Sequence, residues 1–231
     1  MTVAVLFARA DSIYKTMPDV DVWDIERDAR KWPGGCPVVA HPPCRSWGRL
    51  RQFSKPRDDE KALGPWAVEQ VRREGGVLEH PAESTLWAHC GMPRPGQFPD
   101  AWGGYSIAID QFHFGHRAEK ATWLYIVGCE PEDLPLIPVR PGSPTHCVRP
   151  TKSYPRLPSI TKPEREKTPE PLAYWMVEAA RRTRMGAGAY SKLLDSDSKV
   201  SGRYSESSLF MAEWTGLEPA TPGVTGRCSD P

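Results

Sequence analysis

The chain predicts an α/β fold built on a mostly parallel sheet, and three observations predict it. Short apolar runs bounded by turn residues recur from Val3 to Val127, an amphipathic stretch separates two of them, and 231 residues suffice for one domain with a sizeable core. A second full domain is not expected.

Taken in order, strands are expected at Val3–Phe7, Val20–Trp23, Pro37–Ala40, Gly76–Leu78, Ser106–Asp110 and Thr122–Val127, each a short apolar or β-branched run with turn residues beside it. Between the third and fourth lies "DDEKALGPWAVEQVRREGG", in which Ala62, Trp66, Ala67 and Val71 form one helical face that ends at glycines. That is a β-α-β unit. A second helix is expected in "TPEPLAYWMVEAARRTR", with Thr168 as N-cap, proline in its first turn and arginines in its last. It should pack back on the sheet. Prolines crowd residues 131–171, so an extended segment is expected there. Residues 1–185 thus read as one domain. Beyond about residue 186 the chain turns Ser-rich and polar without apolar periodicity, and the expectation for residues 186–231 is a disordered tail without function. Its last stretch, "WTGLEPATPGVTGRCSDP", looks like a reading frame running into a tRNA gene.

Lys+Arg 30 against Asp+Glu 29 gives a formal net charge of +1, which excludes a global field for a polyanion; any nucleic-acid binding must be a local patch. Six cysteines without a repeating spacing, and an opening "TVAVLFA" without a charged leader, read as a cytoplasmic protein with no membrane segment. Cys36, His41 and Cys44 lie close in sequence, and His80 and His116 add imidazoles. No Cys-x-x-Cys or His-x-x-x-His spacing joins them into a metal site, and none is expected.

The stretch "VVAHPPCRSWGRL" carries the chemistry. In an open parallel sheet ligands sit beyond the carboxyl ends of the strands, and Cys44 falls just past such an end, on a turn stiffened by Pro42 and Pro43. A nucleophilic thiol needs nearby positive charge, which Arg45, Arg49 and Arg51 are expected to supply. A small buried core cysteine is the plain alternative.

"AHPPCRSWGR", then "GVLEHP", then "FGHRAEKATWLYIVG" is similar, in order and type, to the cytosine-5 DNA methyltransferases. In that family a Pro-Pro-Cys loop carries the nucleophile, a Glu-Asn-Val strand end carries a carboxyl group, and a Tyr-Gly-x-Pro-Gln-x-Arg-x-Arg strand follows. The resemblance implies a Rossmann-like methyltransferase sheet, with Cys44 as nucleophile and Glu79 as ring-binding acid. Gly115 and "WLYIVG" match the third element, and the helix at 168–184 resembles the closing motif. His80-Pro81 departs from Asn-Val.

The implied chemistry explains the set. A thiolate adding at carbon 6 of a pyrimidine makes carbon 5 nucleophilic, while a carboxyl group at ring nitrogen 3 relieves the charge. The base must leave its stack, so Pro43, Arg45, Ser46, Arg49, Arg51, His80, Arg117 and Lys120 are the candidates for holding the base and flanking phosphates. The resemblance also implies S-adenosylmethionine, with Phe7 and either Asp24 or Glu26 at the cofactor positions. Yet "LFARADSIYK" has no glycine, and Arg30–Cys36 is too short for the strand and helix of an adenine pocket. Only Glu130–Pro163 is available to read a target sequence. The expected partner is DNA or a pyrimidine nucleotide. Two alternatives stay open: a Cys-dependent pyrimidine carbon-5 enzyme with another one-carbon donor, and a non-catalytic DNA-binding module on the same fold.

Overall fold

A computed structural model describes residues 1–150 and 156–184. The expected tail lies outside the described residues. Six strands form one sheet: β1 (Val3–Leu6), β2 (Val20–Trp23), β3 (Val38–Ala40), β4 (Gly76–Pro81), β5 (Tyr105–Asp110) and β7 (Ala121–Val127), in the order β2-β1-β3-β4-β7-β5. β2, β1, β3 and β4 are parallel, whereas β7 runs antiparallel to both β4 and β5. The expected strand positions hold to within a few residues at each end. A two-residue strand β6 (Ala118–Glu119) pairs with β8 (His146–Cys147) outside this sheet.

Helices cover both faces. α1 (Glu60–Glu74) joins β3 to parallel β4, which is the expected β-α-β unit. It buries Ala67, Val68 and Val71 against Val38, Ala40 and Leu78, together with the short α2 (Leu86–His89), and Leu63 is buried as well. Ala62, expected on the buried face, is exposed, because the apolar stripe sits one residue further along at Leu63. On the other face α4 (Glu170–Arg181) lays Leu172, Ala173, Met176 and Ala180 over Val5, Val39, Val77 and Leu124. Pro169, not Thr168, is its N-cap, and no side chain caps it.

The proline-rich stretch is mostly irregular, as expected, apart from one turn at Pro131–Asp133, β8 and the short α3 (Lys162–Glu166). α3 closes on a capping box between Thr161 and Glu164, a Thr-x-x-Glu signature that the sequence displays.

One glycine fixes how close β3 and β4 lie. Gly76 has φ +123, and a Cβ there would stand 2.0 Å from the Val38 carbonyl oxygen. No side chain fits that space.

Candidate active site

β1 lies between β2 and β3, so the chain leaves β1 to one side and returns to the other. The carboxyl ends of β1 and β3 therefore splay apart at a switch point, which is where a doubly wound sheet offers a cleft. Residues from both ends meet there. A 3-10 turn at Ile13–Thr16 after β1 carries Tyr14; His41 and then Cys44 follow β3; Glu79 sits near the end of β4.

The Pro-Pro-Cys loop is held from several sides. The Cys44 carbonyl accepts from the Trp47 and Gly48 amides at 3.0 and 2.7 Å. Trp47 is buried and donates its indole N–H to the Lys61 carbonyl at 3.1 Å, and its own carbonyl accepts from the Thr85 amide at 2.9 Å. α1 approaches the loop at Gly64, where a Cβ would come within 2.7 Å of Trp47 Nε1.

Alternation along the strands sorts the next residues by face. Val39 and His41 point to the α4 side with Val77 and Glu79, while Ala40, Leu78 and His80 point to the α1 side. His41 Nδ1 meets Glu79 Oε2 at 3.2 Å, and His41 Nε2 meets the Tyr14 hydroxyl at 2.8 Å. Gln111 Nε2 donates to Glu79 Oε1 at 3.2 Å and to Thr122 Oγ1 at 3.0 Å. The result is one hydrogen-bonded chain, Tyr14–His41–Glu79–Gln111–Thr122. Its members other than Glu79 were not among the residues read as base-binding or catalytic. His41 could have been found, since a period of two from Val39 puts it on the face that Glu79 shares.

Electrostatics assign protons along this chain. Burial pushes the Glu79 carboxyl up, but the His41 hydrogen bond and the charges of Lys120, His41 and His80 outweigh it and bring it down to about 2. Glu79 is therefore an ionised acceptor at neutral pH. Burial, with the Glu79 charge added, raises Tyr14 well above the usual phenol range, so its hydroxyl keeps its proton. With the His41 ring neutral, Nδ1–H then donates to Glu79 and Nε2 accepts from Tyr14.

Cys44 is exposed, which removes the buried-core alternative. Its thiol is nevertheless raised, first by desolvation from the surrounding protein and then by the Glu79 charge, with Lys120 opposing. This corrects the expected activation by arginines. Arg45 is spent on Glu60, a fully buried carboxylate that it grips at 2.8 and 2.6 Å. Arg49 pairs with Glu83 at 3.1 Å, and Arg117 pairs with Glu164. Among the described residues, Arg51 and Lys120 have no carboxylate within ion-pair distance. Pro43 is half-buried, and the Ser46 hydroxyl is buried without a hydrogen-bond partner. A depression of about 550 Å³ beside this loop is lined by Ser46, Trp47, Arg51, Arg57, Lys61 and Thr85. A larger concavity of about 710 Å³, lined by Trp87, Arg94, Phe98 and Trp123, contains none of Cys44, His41 and Glu79.

His80 is a second correction. It is 1% exposed on the opposite face from Glu79, its ring 6.3 Å from that of Trp87, and neither nitrogen has a partner. Burial lowers it to about 4, so it is neutral at pH 7, and it is closed off from the face that carries Glu79.

The chain matches no family model and no curated protein. The residues expected to hold S-adenosylmethionine do not fit it. Phe7 takes the left-handed φ of 62 at the end of β1, where backbone would have to approach a ligand, and its ring packs edge-on against Trp66 at 5.8 Å. Asp24 is buried with both oxygens used: Lys15 Nζ lies 2.6 Å from one, and the Glu26 and Arg27 amides donate to the other. Three of its roughly four acceptor directions are taken, and Asp24 is 4% exposed, so little of it is open to a ribose. Glu26 is exposed beside it, and β2 is the sheet edge, with no further strand to wall an adenine pocket. Among the described residues no group of three or more His, Cys, Asp and Glu side chains could hold a metal ion, and no helix is long and apolar enough to cross a membrane.

Proposed function

We propose that the protein is a Cys-dependent enzyme acting on cytosine in DNA, of the cytosine-5 methyltransferase type, with Cys44 as nucleophile and Glu79 as the acid that meets the ring. One observation carries this reading. Cys44 stands on the loop just past β3 and Glu79 near the end of the adjacent parallel β4, beside the switch point; Cys44 is exposed, and after desolvation the Glu79 charge also raises its thiol. A planar base entering between them would meet sulfur at carbon 6 and the ionised carboxylate at the exocyclic amine, and contact with ring nitrogen 3 would need Glu79 in its protonated form. Arg51 and Lys120 are the cations free to hold flanking phosphates, and the proline-rich stretch is the segment left to touch DNA.

A second reading keeps the pyrimidine chemistry and replaces the methyl donor. It is favoured by the engaged carboxylate of Asp24 and the packed ring of Phe7.

The test needs no cofactor. A nitrogen at ring position 5 makes carbon 6 more electrophilic, so an oligonucleotide containing 5-azacytosine should form an adduct stable to denaturing electrophoresis with the wild-type protein. Cys44→Ala should form none. Adduct formation by Cys44→Ala, or its absence from the wild type, removes the proposal. In that event the module on the same fold, with an unreactive Cys44, becomes the better account.

A further inference from the structure

Three basic side chains gather beside the Cys44 loop. The depression of about 550 Å³ next to Trp47 is lined by Arg51 from the turn at Arg51–Phe53, by Arg57, and by Lys61 from the first turn of α1. All three are exposed. Among the described residues Arg51 and Lys61 have no carboxylate within ion-pair distance. Arg57 meets Asp59 at 3.3 Å, an exposed pair of the kind that contributes little and yields readily to a ligand. Asp58 is the single carboxylate on the lining, so the depression keeps an excess of positive charge.

Two further features there lack a partner. Ser46 lines the depression, and its hydroxyl is buried without a hydrogen-bond partner, a cost that an acceptor drawn against it would relieve. α1, 15 residues long, starts at the same place, and its N-cap residue Asp59 accepts no hydrogen bond from the first-turn amides. The Glu60 carboxylate in that turn is already gripped by Arg45. An anion suits all of these at once: cations, a hydroxyl donor and the positive end of a helix. The depression is also joined to the reactive loop. Lys61 Nζ lies 5.7 Å from the centroid of the Trp47 ring, and the Trp47 amide donates to the Cys44 carbonyl at 3.0 Å.

We propose that this depression is a phosphate subsite, in which Arg51, Arg57 and Lys61 hold one phosphate group of the molecule whose base meets Cys44. The inference rests on the nucleobase reading only for what carries the phosphate. That group has two sources, the diester of a nucleic-acid strand and the terminal monoester of a free nucleotide, and the same cations serve either.

Isothermal titration calorimetry of the full chain tests it with three probes: deoxycytidine 5′-monophosphate, deoxycytidine, and a cytosine-containing DNA oligonucleotide that ends in hydroxyls. Arg51→Gln and Lys61→Gln, both at exposed positions, should each weaken binding of a phosphate-bearing probe about tenfold. Deoxycytidine should not distinguish these variants from the wild type. Lys55→Gln removes the same charge from an exposed position of the same segment, outside the depression, and should change binding less than about twofold. Weakened binding of the monophosphate assigns the subsite to a terminal phosphate. Weakened binding of the oligonucleotide, with a salt dependence shallower by about one unit of slope, assigns it to the strand. Unchanged affinities in Arg51→Gln and Lys61→Gln, an equal loss in Lys55→Gln, an equal loss for deoxycytidine, or no binding of either phosphate-bearing probe to the wild type overturns the proposal. The 5-azacytosine adduct reports separately on the nucleobase reading. If the wild type forms the adduct while the variants bind as it does, the subsite is wrong and the reading survives. If the variants lose phosphate binding while the wild type forms no adduct, the subsite stands and the reading fails.

Discussion

His41 and His80 carry the same ring at the ends of neighbouring strands and meet opposite fates. His41 is partly buried with both nitrogens bonded; His80, next to Glu79 in sequence, has neither bonded and is 1% exposed. The difference has a consequence for stability against pH. A histidine held at about 4 in the fold, against an ordinary value near 6.5, takes up its proton more readily when the chain unfolds. Its contribution is present in full above the unfolded value and is lost as pH falls from about 6.5 to 4, amounting to about 3 kcal/mol. Urea unfolding at pH 7, 5.5 and 4.5 should show that decline, and His80→Leu should flatten it over the same window. Glu79 has its own, lower window. Its carboxyl, at about 2, loses its contribution only as pH falls below the ordinary glutamate range. At the same scale, desolvation and then the Glu79 charge raise the Cys44 thiol, so Glu79→Gln should make iodoacetamide label Cys44 faster at pH 7, and unchanged labelling would show that the charge does not reach the sulfur.

At the scale of elements, the loop after β3 and the crossing of β3 with β4 determine whether the site exists. Arg45 was legible as a cation near Cys44, but its partner was not, because Glu60 reads in sequence as an ordinary acid at the start of a helix. The fold buries that acid completely and sets Arg45 over it. Arg45→Ala should therefore act on stability and not on DNA affinity, costing about 1–3 kcal/mol in thermal or urea unfolding through the stranded carboxylate. Gly76→Ala should cost about 3 kcal/mol or prevent folding, since the added methyl would enter the Val38 backbone. The strands and both long helices were readable because apolar period and turn residues are local. Sheet order was not. Nothing near β7 in sequence announces that it will run backwards between β4 and β5.

For the whole molecule, a net charge of +1 leaves DNA binding to whatever cations the fold does not neutralise internally. Three of the five cationic candidates are tied to carboxylates, leaving Arg51 and Lys120. If DNA is the substrate, log affinity against log salt should have a slope of about −2, far shallower than for a protein whose surface is dedicated to phosphates. A steep slope would assign the phosphate contacts to residues other than these.

The sequence by itself determined the α/β class, the β-α-β unit around the Pro-Pro-Cys loop, and the ends of strands on which Cys44 and Glu79 stand, because hydrophobic period and turn chemistry act over a few residues. Only the tertiary structure decided which charges cancel, which histidine faces the cleft, and that Tyr14 from a separate turn reaches His41. Those are outcomes of distance and burial between segments far apart in the chain, and no local pattern encodes them.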